Sequence, residues 1–345
     1  MRDRVAPAGC AAVVKADAYG LGAEPVAAAL HAAGCRRFFV ATVDEGIGLR
    51  QTLPADAVIY LLNGLMGSDT AAAIDDAALT PVLNSPAEIE RWGAHARAHG
   101  GRRAVLALDT GMCRLGLSPS EARAVADRPE RLAGLSLDYV MSHLACSDER
   151  DHPLNETQRR LFDELRAALP PAPASFANSG GIFLGPAYHY DLARPGAALY
   201  GISRAVGAPE PMKQVVVLKG KILQIRVVDS ESSVGYGATC RVASGSRLAT
   251  VAAGYADGYL RSLGNSGHGY IGDVRVPVAG RVSMDLLVFD ISELPDGAAM
   301  PGDSVELLND RQTVDDLADE AGTIGYEILT SLGSRYARRY VGGAA

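Results

Sequence analysis

Lys15 ends the apolar run Ala11-Ala12-Val13-Val14 and opens a glycine-punctuated string that runs to Gly22. Four apolar residues in a row suit a strand buried on both faces. A lysine is seldom fully buried without a partner. An amine at the mouth of such a strand is placed to hold an aldehyde as a Schiff base. Taken alone, the segment is also consistent with a strand-end lysine reaching to solvent.

Other reactive side chains stand at the ends of other apolar runs. Asp109 and Arg114 lie in LDTGMCRLG, His143 ends LDYVMSHL, Asn178-Ser179 precede Gly180-Gly181, and Arg194 precedes Pro195-Gly196-Ala197. Each has a plainer alternative: a core histidine satisfied by its neighbours, an arginine capping a turn, an Asn-Ser helix cap. As a set they offer more. Lys15 supplies an amine, and Ser179 with its two glycines supplies a hydroxyl and backbone N–H groups for a phosphate. Gly196 and Ala197 leave backbone uncovered opposite. Such a set suits a phosphorylated aldehyde, hence pyridoxal phosphate.

These groups need a common scaffold. From residue 11 to about 203 the sequence holds eight short apolar runs: AAVVK, RFFVATV, VIYLL, LTPVL, AVLALD, LDYVMSHL, SFANS and YDLARP. Amphipathic stretches such as Ala23–Ala33, Pro86–His99 and Glu156–Leu169 lie between them, two helices being announced by Ser85-Pro86 and Ser118-Pro119. The alternation predicts an α/β (β/α)8 TIM-like barrel, whose C-terminal strand ends would gather the reactive groups on one rim. No GxGxxG follows the first run, so a dinucleotide fold gains no support.

After about residue 210 the rhythm turns to strands. Val215–Val228, Arg247–Ala253, Tyr270–Val278, Asp285–Ile291 and Ser304–Leu308 are expected, then helices over Val314–Ala321 and Ile324–Leu332. Prolines in Gly207-Ala208-Pro209-Glu210-Pro211 mark a boundary. The expected domains are a cofactor-binding barrel over 1–207 and a smaller β-rich C-terminal domain over 208–345.

Composition excludes several function classes. A net charge of −7 argues against a nucleic-acid surface. No apolar run has the length of a membrane helix, and the stretch before Cys10 is too short for a signal peptide. Five scattered cysteines form no CxxC pair, so no metal site or disulfide framework is expected, and a cytoplasmic protein fits.

Nine motifs in order span more than 300 residues: VVKADAYGLG, LDTGMCRLG, SHLACSDE, FANSGG, ARPGAALYG, VGYGATC, AAGYADGY, GRVSMD and GYEILTSLGSRY. In these the chain resembles the alanine racemases, pyridoxal phosphate enzymes with a barrel and a β-domain. The resemblance implies interconversion of L- and D-alanine for peptidoglycan precursors. Lys15 would carry the cofactor and serve as one acid/base, and Tyr236, from the other subunit of a homodimer, as the second. Tyr19, Ser179, Gly196 and Ala197 would hold the phosphate, with Asn178 beside Ser179. Arg194 would face the pyridine nitrogen, and His143 would support Arg194 and Tyr236. Arg114 and Met284 would meet the substrate carboxylate, and Tyr255 would narrow the entrance.

Racemisation breaks and remakes one Cα–H bond with inversion, which two bases on opposite faces accomplish directly. Lysine and tyrosine begin near about 10.4 and about 10, so both must be depressed to act near neutral pH; burial and positive neighbours do this for tyrosine by charge and for lysine by both.

Three departures from the family pattern stand out. Only fourteen residues precede Lys15, where relatives usually carry a strand and helix belonging to the smaller domain. Ala107 replaces a carbamylated lysine, leaving Arg114 to be steadied by an anion, water or Asp109. Ser334 stands where many relatives have a phosphate-binding tyrosine, with Tyr336 two residues on. The alternatives are a serine or broad-specificity racemase, a decarboxylase of the same cofactor class, a non-catalytic pyridoxal phosphate carrier and an inactive truncated racemase.

Overall fold

The computed structural model describes residues 1–67, 69–203, 207 and 212–342. They fall into two compact units, the first holding Met1–Leu199 and the second most of the rest. The expected boundary at 207–208 falls in a segment where 204–206 and 208–211 lie outside the described residues.

In the first unit, β1 (Gly9–Cys10) and β2 (Ala12–Val13) are two pieces of one run, and β3 to β9 follow. These are Arg37–Val40, Val58–Leu61, Leu79–Leu83, Arg102–Ala107, Leu135–Met141, Ala174–Ser175 and Leu192–Ala193. All pairs are parallel, β1 beside β9 and β2 beside β3. The split first strand therefore closes an eight-membered ring, as the alternation predicts. Ala11 N donates to Ala193 O on one side and Val14 N to Phe39 O on the other, both at 2.9 Å.

Helices follow the strands, among them Ala23–Ala32, Val43–Thr52, Pro86–Ala98, Pro119–Ala126 and Pro153–Ala168. Ser85 and Ser118 cap the third and fourth of these, each with proline in the first turn. Of the expected SFANS strand only Ser175 joins the ladder, in the pair Ala174–Ser175, and Asn178 leaves the sheet to cap the helix Ser179–Leu184.

The second unit is antiparallel. Its strands are β10 (Leu218–Val227), β11 (Ser232–Val234), β12 (Cys240–Val242), β13 (Arg247–Ala252), β14 (His268–Ile271), β15 (Val274–Pro277), β16 (Leu286–Asp290) and β17 (Ser304–Leu308). Six form one sheet in the order β15-β14-β17-β10-β13-β16, and β11-β12 make a separate ribbon. The single strand expected over Tyr270–Val278 is instead a hairpin. Gly272, at φ +57°, turns the chain at Gly272-Asp273, a conformation open to glycine at no steric cost. Val228, Val234, Val242, Leu248 and Ala279 pack the ribbon against the sheet. Helices Val314–Ala321 and Gly325–Thr330 complete the unit.

Candidate active site at the barrel rim

Lys15 leaves the buried strand run into an unusual turn. Ala16, Asp17, Ala18 and Tyr19 are all left-handed, with φ between 51° and 58°. Left-handed helix costs L-residues roughly 1–2 kcal/mol each and normally occurs as single residues. Several hydrogen bonds offset it. Ala18 N donates to Val14 O at 2.9 Å, Gly22 N to Asp17 O at 2.9 Å, and Ala23 N to Asp17 Oδ1 at 2.7 Å. Ala16 N donates to Glu45 Oε1 at 2.7 Å. Burial holds the Lys15 amine below the ordinary lysine range, Arg114 pushes it further down, and Glu45 opposes them.

Glu45 escapes a reading of the sequence for reactive groups. Its signal is local: Thr42-Val43-Asp44-Glu45 is a capping box, with Glu45 N donating to Thr42 Oγ1 at 3.3 Å and Glu45 Oε2 accepting from Thr42 N at 3.3 Å.

The expected phosphate-binding residues meet opposite this turn. Ser179 is 4% exposed, and its Oγ accepts from Gly196 N at 2.9 Å and from Ala198 N at 3.3 Å. The Gly196 N–H, expected to be uncovered, is thus engaged by Ser179. Ala197 opens the short turn Ala197–Tyr200. A Cβ on Gly196 would collide with the Tyr19 hydroxyl, so only glycine allows that approach. Asn178 serves as a helix cap, its Oδ1 accepting from Gly181 N and Ser147 Oγ, each at 2.9 Å.

Arg194 is 3% exposed. Its Nη1 donates to Ser175 Oγ at 2.6 Å and its Nη2 to Ser142 O at 2.7 Å. Among the described residues no carboxylate pairs with it, and burial pushes it down to about 10. His143 Nδ1 lies 3.5 Å from Arg194 Nη2, and its Nε2 3.5 Å from Asn178 Nδ2. Burial, then Arg194, Arg114 and Lys15, push His143 down to about 3, so it is a neutral imidazole at pH 7. Gln158, which the sequence reading also passes over, accepts from Ala145 N at 2.9 Å through Oε1. Its Nε2 donates to His143 O at 2.9 Å and to Thr110 Oγ1 at 3.3 Å.

Asp109 orders the loop that leads to Arg114, with Oδ1 accepting from Gly111, Met112 and Cys113 N at 2.9, 2.9 and 3.1 Å. The structure therefore gathers Lys15, Tyr19, Arg114, His143, Asn178, Ser179, Arg194, Gly196 and Ala197 at the strand ends of the first unit.

The remaining candidates belong to the second unit. Tyr236 is 71% exposed, in a short turn after β11. Tyr255 and Met284 are also exposed, and backbone bonds hold them side by side: Tyr255 N to Ser283 O and Ala256 N to Met284 O, both 3.0 Å. Arg335 braces that pair, reaching Asp257 at 3.2 Å and Asp285 at 2.6 Å.

Family models of the alanine racemase N-terminal and C-terminal domains match residues 1–204 and 215–340. The chain is 54% identical to the alanine racemase of Rhodospirillum rubrum over 345 residues, 99% of this chain and 92% of that protein. It is 51% identical to the catabolic alanine racemase of Agrobacterium fabrum over 333 residues, 96% of this chain and 85% of that one. The crystal structure of alanine racemase from Bartonella henselae with covalently bound pyridoxal phosphate superposes with a TM-score of 0.93 at 40% identity. It covers 98% of this chain and 94% of that chain.

Proposed function

The chain belongs to the alanine racemase family, and we propose that it interconverts L-alanine and D-alanine with pyridoxal phosphate, Lys15 and Tyr236 moving the proton. Lys15, Arg114, His143 and Arg194 stand at the strand ends of one barrel, His143 Nδ1 lying 3.5 Å from Arg194 Nη2, and that convergence carries the reading.

The residues present fit the cofactor. Lys15 offers an amine whose proton is already loosened by burial and Arg114. Tyr19, Ser179 and Gly196 lie together, the Tyr19 hydroxyl close against Gly196 and the Ser179 hydroxyl on its N–H, a grouping of hydroxyl and amide donors suited to a phosphate. Arg194 presents a buried guanidinium held by neutral oxygens. Pyridoxal phosphate, when bound, supplies the electron-withdrawing ring that acidifies the substrate Cα–H.

Lys15 takes or returns that proton on one face of the carbon. Tyr236, exposed on the second unit, does so on the other face, contributed by the partner subunit of a homodimer. Arg114 meets the substrate carboxylate with Met284, and Tyr255 limits the entrance. His143, neutral at pH 7, spaces Arg194 without adding charge. Arg194 keeps a positive charge where many enzymes of this cofactor place a carboxylate, disfavouring a second proton beside it.

The test is a coupled D-alanine assay on this protein, repeated with serine. Lys15→Ala abolishes turnover and Tyr236→Phe lowers it by about 10²–10⁴, whereas mixed dimers of the two variants regain it, because one of their two sites holds both groups. Turnover by Lys15→Ala alone, or no recovery on mixing, sinks the reading.

A cytoplasmic supply of D-alanine to peptidoglycan precursors is the first role. A second is favoured by the catabolic names of relatives from Agrobacterium fabrum and Mesorhizobium japonicum. Deletion giving D-alanine auxotrophy supports the first, and loss of growth on D-alanine as carbon source the second.

A further inference from the structure

We propose that Glu45 is a positioning residue for Lys15, its two carboxylate oxygens tying the left-handed turn that carries the amine to the rim of the neighbouring strand. The inference rests on Lys15 being the reactive amine, and on three observations.

The turn is strained, with four consecutive L-residues at positive φ immediately after Lys15. Its first amide points out of the turn, and the group that receives it comes from a different strand–helix unit: Glu45 Oε1 accepts from Ala16 N at 2.7 Å. Glu45 Oε2 accepts from Ala41 N, also at 2.7 Å, at the end of β3. One carboxylate therefore spans two adjacent strand ends, and both contacts are of charge-assisted length. Its backbone is fixed by the capping box with Thr42.

A carboxylate is required by the donor pattern. Three N–H groups converge on it, Ala16 N on Oε1 and Ala41 and Thr42 N on Oε2, and a glutamine can accept with only its one oxygen, turning an NH2 toward the donors on the other side. The charge has a second effect. Burial, and after it Arg114 from the loop after β6, drive the Lys15 amine down, as burial and the neighbouring cations do His143 at the end of β7. Glu45 is the anion opposing them at Lys15. Removing it frees the turn and lets the amine lose its proton more readily.

The experiment compares wild type with Glu45→Gln and Glu45→Asp as full-length protein carrying pyridoxal phosphate. Hydrogen exchange of residues 16–22 is expected to accelerate on the order of tenfold in Glu45→Gln while the barrel strands keep their protection. The acidic limb of its rate profile moves to lower pH. Glu45→Asp retains the charge on a shorter arm, so its limb stays at the wild-type position while exchange in 16–22 still rises. Exchange in 16–22 at the wild-type rate, acceleration spread evenly over the barrel, or an unmoved limb in Glu45→Gln overturns the proposal. Should wild type show no racemisation, the functional reading fails, and the exchange measurement still decides whether Glu45 holds the turn.

Discussion

Arg194 donates to the Ser175 hydroxyl at 2.6 Å, and Ser175 in turn donates to Leu192 O at 2.7 Å, so a buried cation is held by a neutral relay. A guanidinium tied to neutral oxygens keeps its charge available to whatever lies before it. Paired with a carboxylate, that field would be cancelled locally. Ser175→Ala leaves one charged N–H buried without an acceptor, costing about 1–3 kcal/mol. Urea denaturation would reveal it, and an unchanged midpoint would remove Ser175 from the relay.

Gln158 joins the loop after β6 to the loop after β7 through Thr110, His143 and Ala145. Gln158→Leu keeps the bulk and leaves the His143 carbonyl and Ala145 amide unpaired. We expect a loss of about 3 kcal/mol and a turnover that falls more than affinity for alanine. A variant with wild-type kcat would show that these loops hold their geometry without it.

Gly196→Ala puts a methyl against the Tyr19 hydroxyl and 3.3 Å from Val13 Cβ. Overpacking of this kind costs about 1–3 kcal/mol. Directed at the cofactor cradle, it should weaken pyridoxal phosphate binding roughly tenfold, as 1.4 kcal/mol corresponds to one decade. Titration of the purified protein with the cofactor measures this; equal affinity would place the phosphate elsewhere.

Tyr236 is exposed in the second unit, so Tyr236→Phe removes a hydroxyl without disturbing a core. Turnover should fall in both directions by about 10²–10⁴, the range for loss of a general acid or base. The melting temperature should not move. Full activity in either direction would exclude the two-base assignment.

His143 binds a proton in the unfolded chain below about pH 6.5, yet in the fold burial and the cations around it push this down to about 3. His268 is brought down to about 4 by burial and Arg275 against the pull of the Glu320 carboxylate 2.5 Å from its Nδ1, and titrates in the same direction. Between those limits the unfolded state holds more protons, so stability rises with pH. Their contribution is complete above about pH 6.5 and is lost as pH falls toward 3. Urea midpoints between pH 7 and 4 should decline, and His143→Gln should flatten the slope. Parallel slopes in the two proteins would contradict a neutral buried His143.

The barrel was legible because its signal is local and repeated. Apolar runs ending in reactive residues and serine–proline helix starts obey short-range rules. The placement of Lys15, His143, Ser179 and Arg194 at the strand ends of the first unit was legible for the same reason, since each stands at the end of an apolar run. The hairpin at Gly272-Asp273 was missed because an apolar-rich run of nine residues hid a two-residue turn. The ribbon of Ser232–Val234 and Cys240–Val242 was missed because its strands are too short and polar to show a period.

Only the tertiary structure decided how the site is held. Sequence spacing cannot show that Glu45, thirty residues from Lys15, folds over its turn, or that Gln158 reaches both His143 and Thr110. Nor can it show that Gly196 already gives its N–H to Ser179. These are contacts between neighbouring strand–helix units, distant in the chain, which exist only once closure of the sheet brings the strand ends to one rim. Residue type therefore determined which chemistry is available, and barrel closure determined the hydrogen bonds and fields that tune it.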